Sequence, residues 1–114
     1  MKSAITSHVL DTEKGMPAKG IAVSLEEKTG NEWRPVANGV TNEDGRLMEW
    51  IHEGYELKEG EYRVNFDLET YFAKENRSTF YPKAIINFKI NNVNQHYHVP
   101  LLLSAFGYST YRGS

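Results

Sequence analysis

Hydrophobic and polar residues alternate with a period of two along most of the chain, in runs short enough to be single strands. Ala4 to Asp11 opens the pattern, with Ile5 and Val9 on one side and Thr6, His8 and Leu10 on the other. Glu13 to Pro17 reads as a turn punctuated by glycine and proline. Ile21, Val23 and Leu25 alternate with Ala22, Ser24 and Glu26 in a half-buried strand ending at Lys28-Thr29-Gly30. Trp33, Pro35 and Ala37 against Arg34, Val36 and Asn38 predict a third strand, and its proline assigns it to an edge or an irregular start. A loop from Thr41 to Gly45 leads through Arg46 into a short strand, Leu47 to Glu49. Tyr62, Val64, Phe66 and Leu68 point inward along Glu61 to Leu68, and Ile85 to Ile90 makes a further strand before the turn Asn91 to Asn94. Two strands end the chain, joined by a tight connection at Ala105 to Gly107. On the first of them Tyr97, Val99, Leu101 and Leu103 form the core face, while His96, His98, Pro100 and Leu102 share the other. Glu69 to Asn76 is the one predicted helix, a short one. Seven or eight short strands, turn signals at roughly 8–12-residue spacing and one helical segment predict an all-β fold, an antiparallel β-sandwich filling residues 1–114 as a single domain.

Composition narrows the function classes. At 114 residues the chain can bury roughly two-thirds of its unfolded surface. It has no cysteine, so disulfides, thiolate metal sites and thiol nucleophiles are excluded. Thirteen basic against fifteen acidic residues, without a basic cluster, leave no electrostatic footprint for nucleic acid. No apolar run approaches the ~20 residues a membrane span needs, and no membrane partner is expected. Met1-Lys2 runs into Ser3-Ala4-Ile5-Thr6 without an apolar block, which predicts no signal peptide. The last three residues are not a peroxisomal Ser-Lys-Leu. The expected compartment is the cytoplasm, or the periplasm if a leader has been removed.

Titratable groups gather on the face that is not the core. Of four histidines, His52 stands in a charged stretch and reads as solvated, whereas His96 and His98 share a strand face with His8 on the first strand's outer side. A histidine pair at i, i+2 is by itself more often a wet strand edge than a site. The company changes the odds: His8, Tyr111 and the C-terminal carboxylate of Ser114. Either His8 or His98 can take a proton from a water attacking a carbonyl. Arg46 offers a permanently charged fork of donors for an oxyanion, although alone it reads as a solvent charge after an Asp-Gly turn. Tyr111 or the Ser114 carboxylate is expected to bind the second imidazole nitrogen and fix its tautomer. Apolar Leu10, Pro100 and Leu102 beside these groups are poorly placed on a monomer's surface, which predicts an interface between subunits.

His96-Tyr97-His98-Val99-Pro100-Leu101-Leu102-Leu103-Ser104, continuing to Tyr111-Arg112-Gly113-Ser114, resembles the C-terminal signature of the transthyretin-related 5-hydroxyisourate hydrolases. His8-Val9-Leu10-Asp11 with Gly15, Pro17 and Ala18, and Thr41 with Asp44-Gly45-Arg46, resemble the same family in the same order. The resemblance implies a transthyretin-like sandwich with its helix between the fifth and sixth strands. It implies hydrolysis of 5-hydroxyisourate, opening the six-membered ring to 2-oxo-4-hydroxy-4-carboxy-5-ureidoimidazoline on the way to allantoin. It implies catalytic His8, Arg46, His98, Tyr111 and Ser114, and substrate contacts from His8, Arg46, Leu102, Tyr111, Arg112, Gly113 and Ser114. No cofactor or metal is implied, and the assembly is a homotetramer, a dimer of dimers with sites at the dimer–dimer contact. Transthyretin, the hormone carrier of the fold, lacks both histidines and the Tyr-Arg-Gly-Ser ending, so the enzyme is favoured over the carrier. A zinc site on His8, His96 and His98 is a minor alternative. Ala105 departs from the family's usual proline and is expected to loosen its turn. Trp50 to Lys58 is divergent.

Overall fold

A computed structural model describes residues 2–114 as two packed sheets and one short helix. The strands are β1 (Ile5–Asp11), β2 (Met16–Pro17), β3 (Ala22–Thr29), β4 (Glu32–Val40), β5 (Arg46–Leu47), β6 (Gly60–Asp67), β7 (Lys83–Ile90), β8 (Tyr97–Ser104) and β9 (Gly107–Thr110), with helix α1 (Leu68–Ala73) after β6. One sheet runs β2-β1-β8-β9, with β5 also on β1; the other runs β4-β3-β6-β7. Seven strands exceed two residues, and the all-β sandwich stands as expected. Helix α1 follows the sixth strand in this count rather than the fifth, because β2 is a two-residue stub.

Every ladder is antiparallel but one. β1 and β8 pair in parallel over seven residues, from Ile5 opposite Tyr97 to Asp11 opposite Leu103. Sequential hairpins force antiparallel pairing, but β1 and β8 meet across most of the chain length, so no hairpin fixes their direction. Between the sheets lie Ile5, Val9, Val23, Leu25, Val64, Phe66, Leu101 and Leu103, all buried. A side chain of this kind contributes about 1.5–3 kcal/mol on burial.

Local chemistry moves several expected boundaries. Met16–Pro17, expected as turn, pairs with Leu10 and Asp11. The strand expected at Leu47 to Glu49 is Arg46–Leu47, since Ser3 takes over there: its N–H donates to Met48 O, and its hydroxyl accepts from Trp50 and Ile51 N–H. Leu68 opens the helix instead of ending the strand because the Asp67 carboxylate caps it, accepting from Thr70 N–H. β4 is an edge strand, as its proline requires. A bulge opposite Leu25 and Glu26 breaks its alternation, so Ala37 pairs with inward Leu25 while Trp33 lies outside under the Arg63 guanidinium.

Ala105 does not loosen its turn. Its N–H, which a proline lacks, donates to Glu13 Oε1 at 2.8 Å, and its carbonyl accepts from Phe80 N–H and Thr79 Oγ1. Glu13 belongs to a larger knot around Asp11, which is fully buried. Asp11 accepts from Tyr71 Oη at 2.9 Å, from Arg77 Nη1 at 2.9 Å and from the backbone of Glu13 and Lys14. Arg77 also reaches Glu13 and Glu75. Burial would raise the Asp11 pKa, but Arg77, Tyr71 and the Lys14 N–H outweigh it and hold the carboxyl below its ordinary range. Because the folded value is depressed, this contribution to stability is present above the ordinary aspartate value of 3.8 and is lost as pH falls below it. Arg77→Met is expected to cost about 3 kcal/mol by leaving a buried charge short of its partner, with Asp11→Asn restoring part of the loss in the double variant. Urea denaturation of the four proteins measures the coupling, and a loss under about 0.5 kcal/mol, the level of an ordinary surface substitution, would contradict it.

Candidate active site

The parallel register decides which residues share the outer face. Thr6, His8 and Leu10 of β1 stand opposite His98, Pro100 and Leu102 of β8. Arg46 of β5 lies directly across from His8, on the other edge of β1. Ser109 of β9 pairs with Leu102, and Gly113 bridges back to His98, its N–H donating to His98 O at 2.9 Å. His8, Arg46, His98, Leu102 and Gly113 are thus brought together on one side of one sheet.

Two glycines make this assembly possible. Gly45 has φ +71° and packs so closely that a Cβ would come within 2.4 Å of Val9 O. Its carbonyl accepts from Val9 N–H at 2.8 Å, which clamps the Asp44-Gly45-Arg46 turn to β1 and sets Arg46 beside His8. Gly113 lies on the His98 ring: a Cβ there would come within 2.5 Å of Cδ2 and 3.2 Å of Pro100 Cγ. Thr41, matched in the sequence without a role, is a brace; its buried hydroxyl donates to Ala18 O and accepts from Ile21 N–H.

His98 is held from its Nδ1 side, and the holder corrects the expectation of Tyr111 or the Ser114 carboxylate. Thr6 Oγ1 lies 2.7 Å from His98 Nδ1 and 2.9 Å from His96 Nε2, and the two rings are near parallel with centroids 6.3 Å apart. Thr6 points outward yet is fully buried. Reading β1 alone put Thr6 on the face of His8; only the pairing direction, absent from the sequence, puts it on His98. Burial lowers the His98 pKa below its ordinary value, with His96, Arg46, His8 and Lys2 adding to the shift. His96 is lowered by burial and by Lys2. His52 is exposed, its Nδ1 accepting from Gly54 N–H.

The tail beyond β9 divides. Arg112 lies over the Tyr97 ring, its Cζ 4.6 Å from the centroid, and donates to Gln95 and His96 O. Tyr97 belongs to the core-facing row, and Arg112 lines one cleft with His98 and Tyr111. Tyr111 is 58% exposed and lines a cleft of about 340 Å³ with His98, Val99, Phe88 and Arg112. Ser114 is exposed. A wider depression, about 940 Å³, lies over the other sheet, where Glu26 and Arg63 pair at 2.6 Å. Among the described residues no group of three or more histidines and carboxylates is arranged to hold a metal.

The sequence profile of the HIUase/Transthyretin family matches residues 5–113. A 5-hydroxyisourate hydrolase of Salmonella dublin is 44% identical over 111 residues, covering 96% of this chain and 80% of its own. The solved structure of Klebsiella pneumoniae 5-hydroxyisourate hydrolase is 33% identical with a TM-score of 0.83, covering all of both chains. Sea bream transthyretin in complex with thyroxine is 32% identical with a TM-score of 0.90, covering 97% of this chain and 95% of its own. The fold alone therefore does not separate hydrolase from carrier.

The shifts of the two stacked rings can be read directly. In an NMR titration both His96 and His98 are expected to titrate below the ordinary value of 6.5 and to be neutral at pH 7. A His98 midpoint above 6.5 would contradict the electrostatic reading.

Proposed function

The chain belongs to the HIUase/transthyretin family, and from that premise we propose that it hydrolyses 5-hydroxyisourate, with His98 as the base, on the outer face of the β1–β8 ladder. The observation that carries the reading is the meeting of His8, Arg46 and His98 on one face, with the ring of His98 kept neutral beside a permanent cation. A neutral imidazole accepts a proton from water, whereas an imidazolium cannot. In this account His98 Nε2 takes the proton as water attacks the ring carbonyl. Arg46 donates to the oxygen where negative charge develops, and His8 adds a second donor there. The C–N bond of the six-membered ring then breaks, the leaving nitrogen takes the proton back, and 2-oxo-4-hydroxy-4-carboxy-5-ureidoimidazoline is released. Tyr111, Gly113 and Ser114 wall one side of the site, and Leu102 supplies an apolar contact.

The same face bears on assembly. Leu10 and Leu102 are half-buried there, Phe106 at the β8–β9 turn is 72% exposed, and β7 and β9 are sheet edges. Such surfaces favour burial against another copy. We propose a homotetramer, a dimer of dimers, in which a second copy closes the open face and excludes water.

The second reading is a carrier for an aromatic ligand, favoured by the TM-score of 0.90 with a thyroxine-bound transthyretin. His98→Asn separates the two. In freshly oxidised urate, followed by ultraviolet absorbance, the chain is expected to accelerate loss of 5-hydroxyisourate. His98→Asn is expected to lower kcat by about 10²–10⁴-fold, the usual weight of a general base, with the fold intact by circular dichroism. Unchanged decay with the native chain, together with tight binding of an aromatic ligand, would favour the carrier.

A further inference from the structure

One hydroxyl lies between two imidazoles: Thr6 Oγ1 is within hydrogen-bond distance of both His96 Nε2 and His98 Nδ1. A hydroxyl has one proton, so it donates to one ring and accepts from the other. With both rings neutral, only two arrangements satisfy both contacts. Either both rings hold their proton on Nδ1, or both hold it on Nε2; the tautomers are locked together. In the first arrangement His98 Nδ1–H donates to Thr6, Thr6 O–H donates to His96 Nε2, and His98 Nε2 is left bare. That is the nitrogen a base needs. Gly113 packs against the Cδ2 edge of His98 so closely that even a Cβ there would clash.

Resting on the hydrolase reading above, we infer that Thr6 and His96 are positioning residues that keep His98 Nε2 bare and relay onward the proton it takes from water. The atoms balance. As the water O–H breaks and His98 Nε2–H forms, the His98 Nδ1 proton passes to Thr6 Oγ1, and the former hydroxyl proton passes to His96 Nε2. His98 ends neutral and His96 holds the charge. When the leaving nitrogen takes the Nε2 proton, the two transfers reverse and the chain is restored.

Electrostatics gives the relay its value. Positive charge on His98 is opposed by burial and by His96, Arg46, His8 and Lys2, whereas on His96 it is opposed by burial and Lys2. Passing the charge through Thr6 moves it away from Arg46 and His8, leaving Arg46 to serve the oxyanion.

Three variants and one spectrum test this. The ¹⁵N shifts of the ring nitrogens at pH 7, without substrate, are expected to show both rings as the Nδ1–H tautomer. Thr6→Val, nearly isosteric, is expected to lower kcat about tenfold or more while KM stays within about twofold, a part of the usual general-base contribution. The acid limb of its kcat profile should move to lower pH, because His98 loses the acceptor that stabilises its charged form. Thr6→Ser should restore kcat and the limb, which a purely packing role would not require. His96→Gln keeps an acceptor for Thr6 but cannot hold a proton, and should show the same kcat loss with an unchanged melting temperature; it decides the matter if Thr6→Val does not fold. An active chain whose rings differ in tautomer, or one in which His96→Gln keeps native kcat, would overturn the relay. A chain inert toward 5-hydroxyisourate yet with matched Nδ1–H rings would overturn the hydrolase reading and leave the tautomer lock standing.

Discussion

The parallel ladder between β1 and β8 is the constraint on which the rest depends. Strand side chains alternate, so a slip of one residue in this pairing would exchange every inward group for an outward one. In the observed register Ile5, Val9 and Asp11 face the interior with Tyr97, Leu101 and Leu103, while Thr6 and His8 face outward with His98 and Pro100. Both ends of the register are fastened. At the far end buried Asp11 ties β1 to α1 through Tyr71 and to the following segment through Arg77. At the near end the Trp50 indole donates to Ile5 O, and Ser3 holds the start of the strand. Trp50 and Ile51, at the head of the divergent stretch, thus brace the start of β1.

Much of this was legible in the sequence, and the gaps have definite causes. Period-two alternation exposed the core rows of β3, β6 and β8, because one face of each is fully buried and the other less so. The outward histidines stood out as titratable groups on a strand's non-core face, whereas Arg46 alone read as a solvent charge; the likeness of three stretches of the chain to a known family gave all of them a role. Strand direction was not legible, since β1 and β8 are joined by no hairpin. With it went the partnership of Thr6, an unremarkable residue until His98 is set opposite. The Asp11 knot was missed for the same reason: its partners come from positions 60 and 66 residues away. The family comparison predicted a loosened turn at Ala105, but an alanine keeps an N–H that Glu13 uses.

Function in this fold is decided by a few side chains on a shared scaffold. The chain superposes on a carrier at least as well as on a hydrolase, yet its outer face carries three imidazoles and a guanidinium. Burial first, then His96, Arg46 and His8, disfavour positive charge on His98, while Arg112 packs over the Tyr97 ring.

The central claim is that a neutral His98 beside Arg46 opens the ring. The pH dependence of enzymatic 5-hydroxyisourate hydrolysis, corrected for spontaneous decay, tests it most directly. The account requires full activity at neutral pH and an acid limb with a midpoint below the ordinary histidine value of 6.5, displaced or lost in His98→Asn. A rate independent of pH across that range, or a limb that His98→Asn leaves in place at full activity, would contradict it.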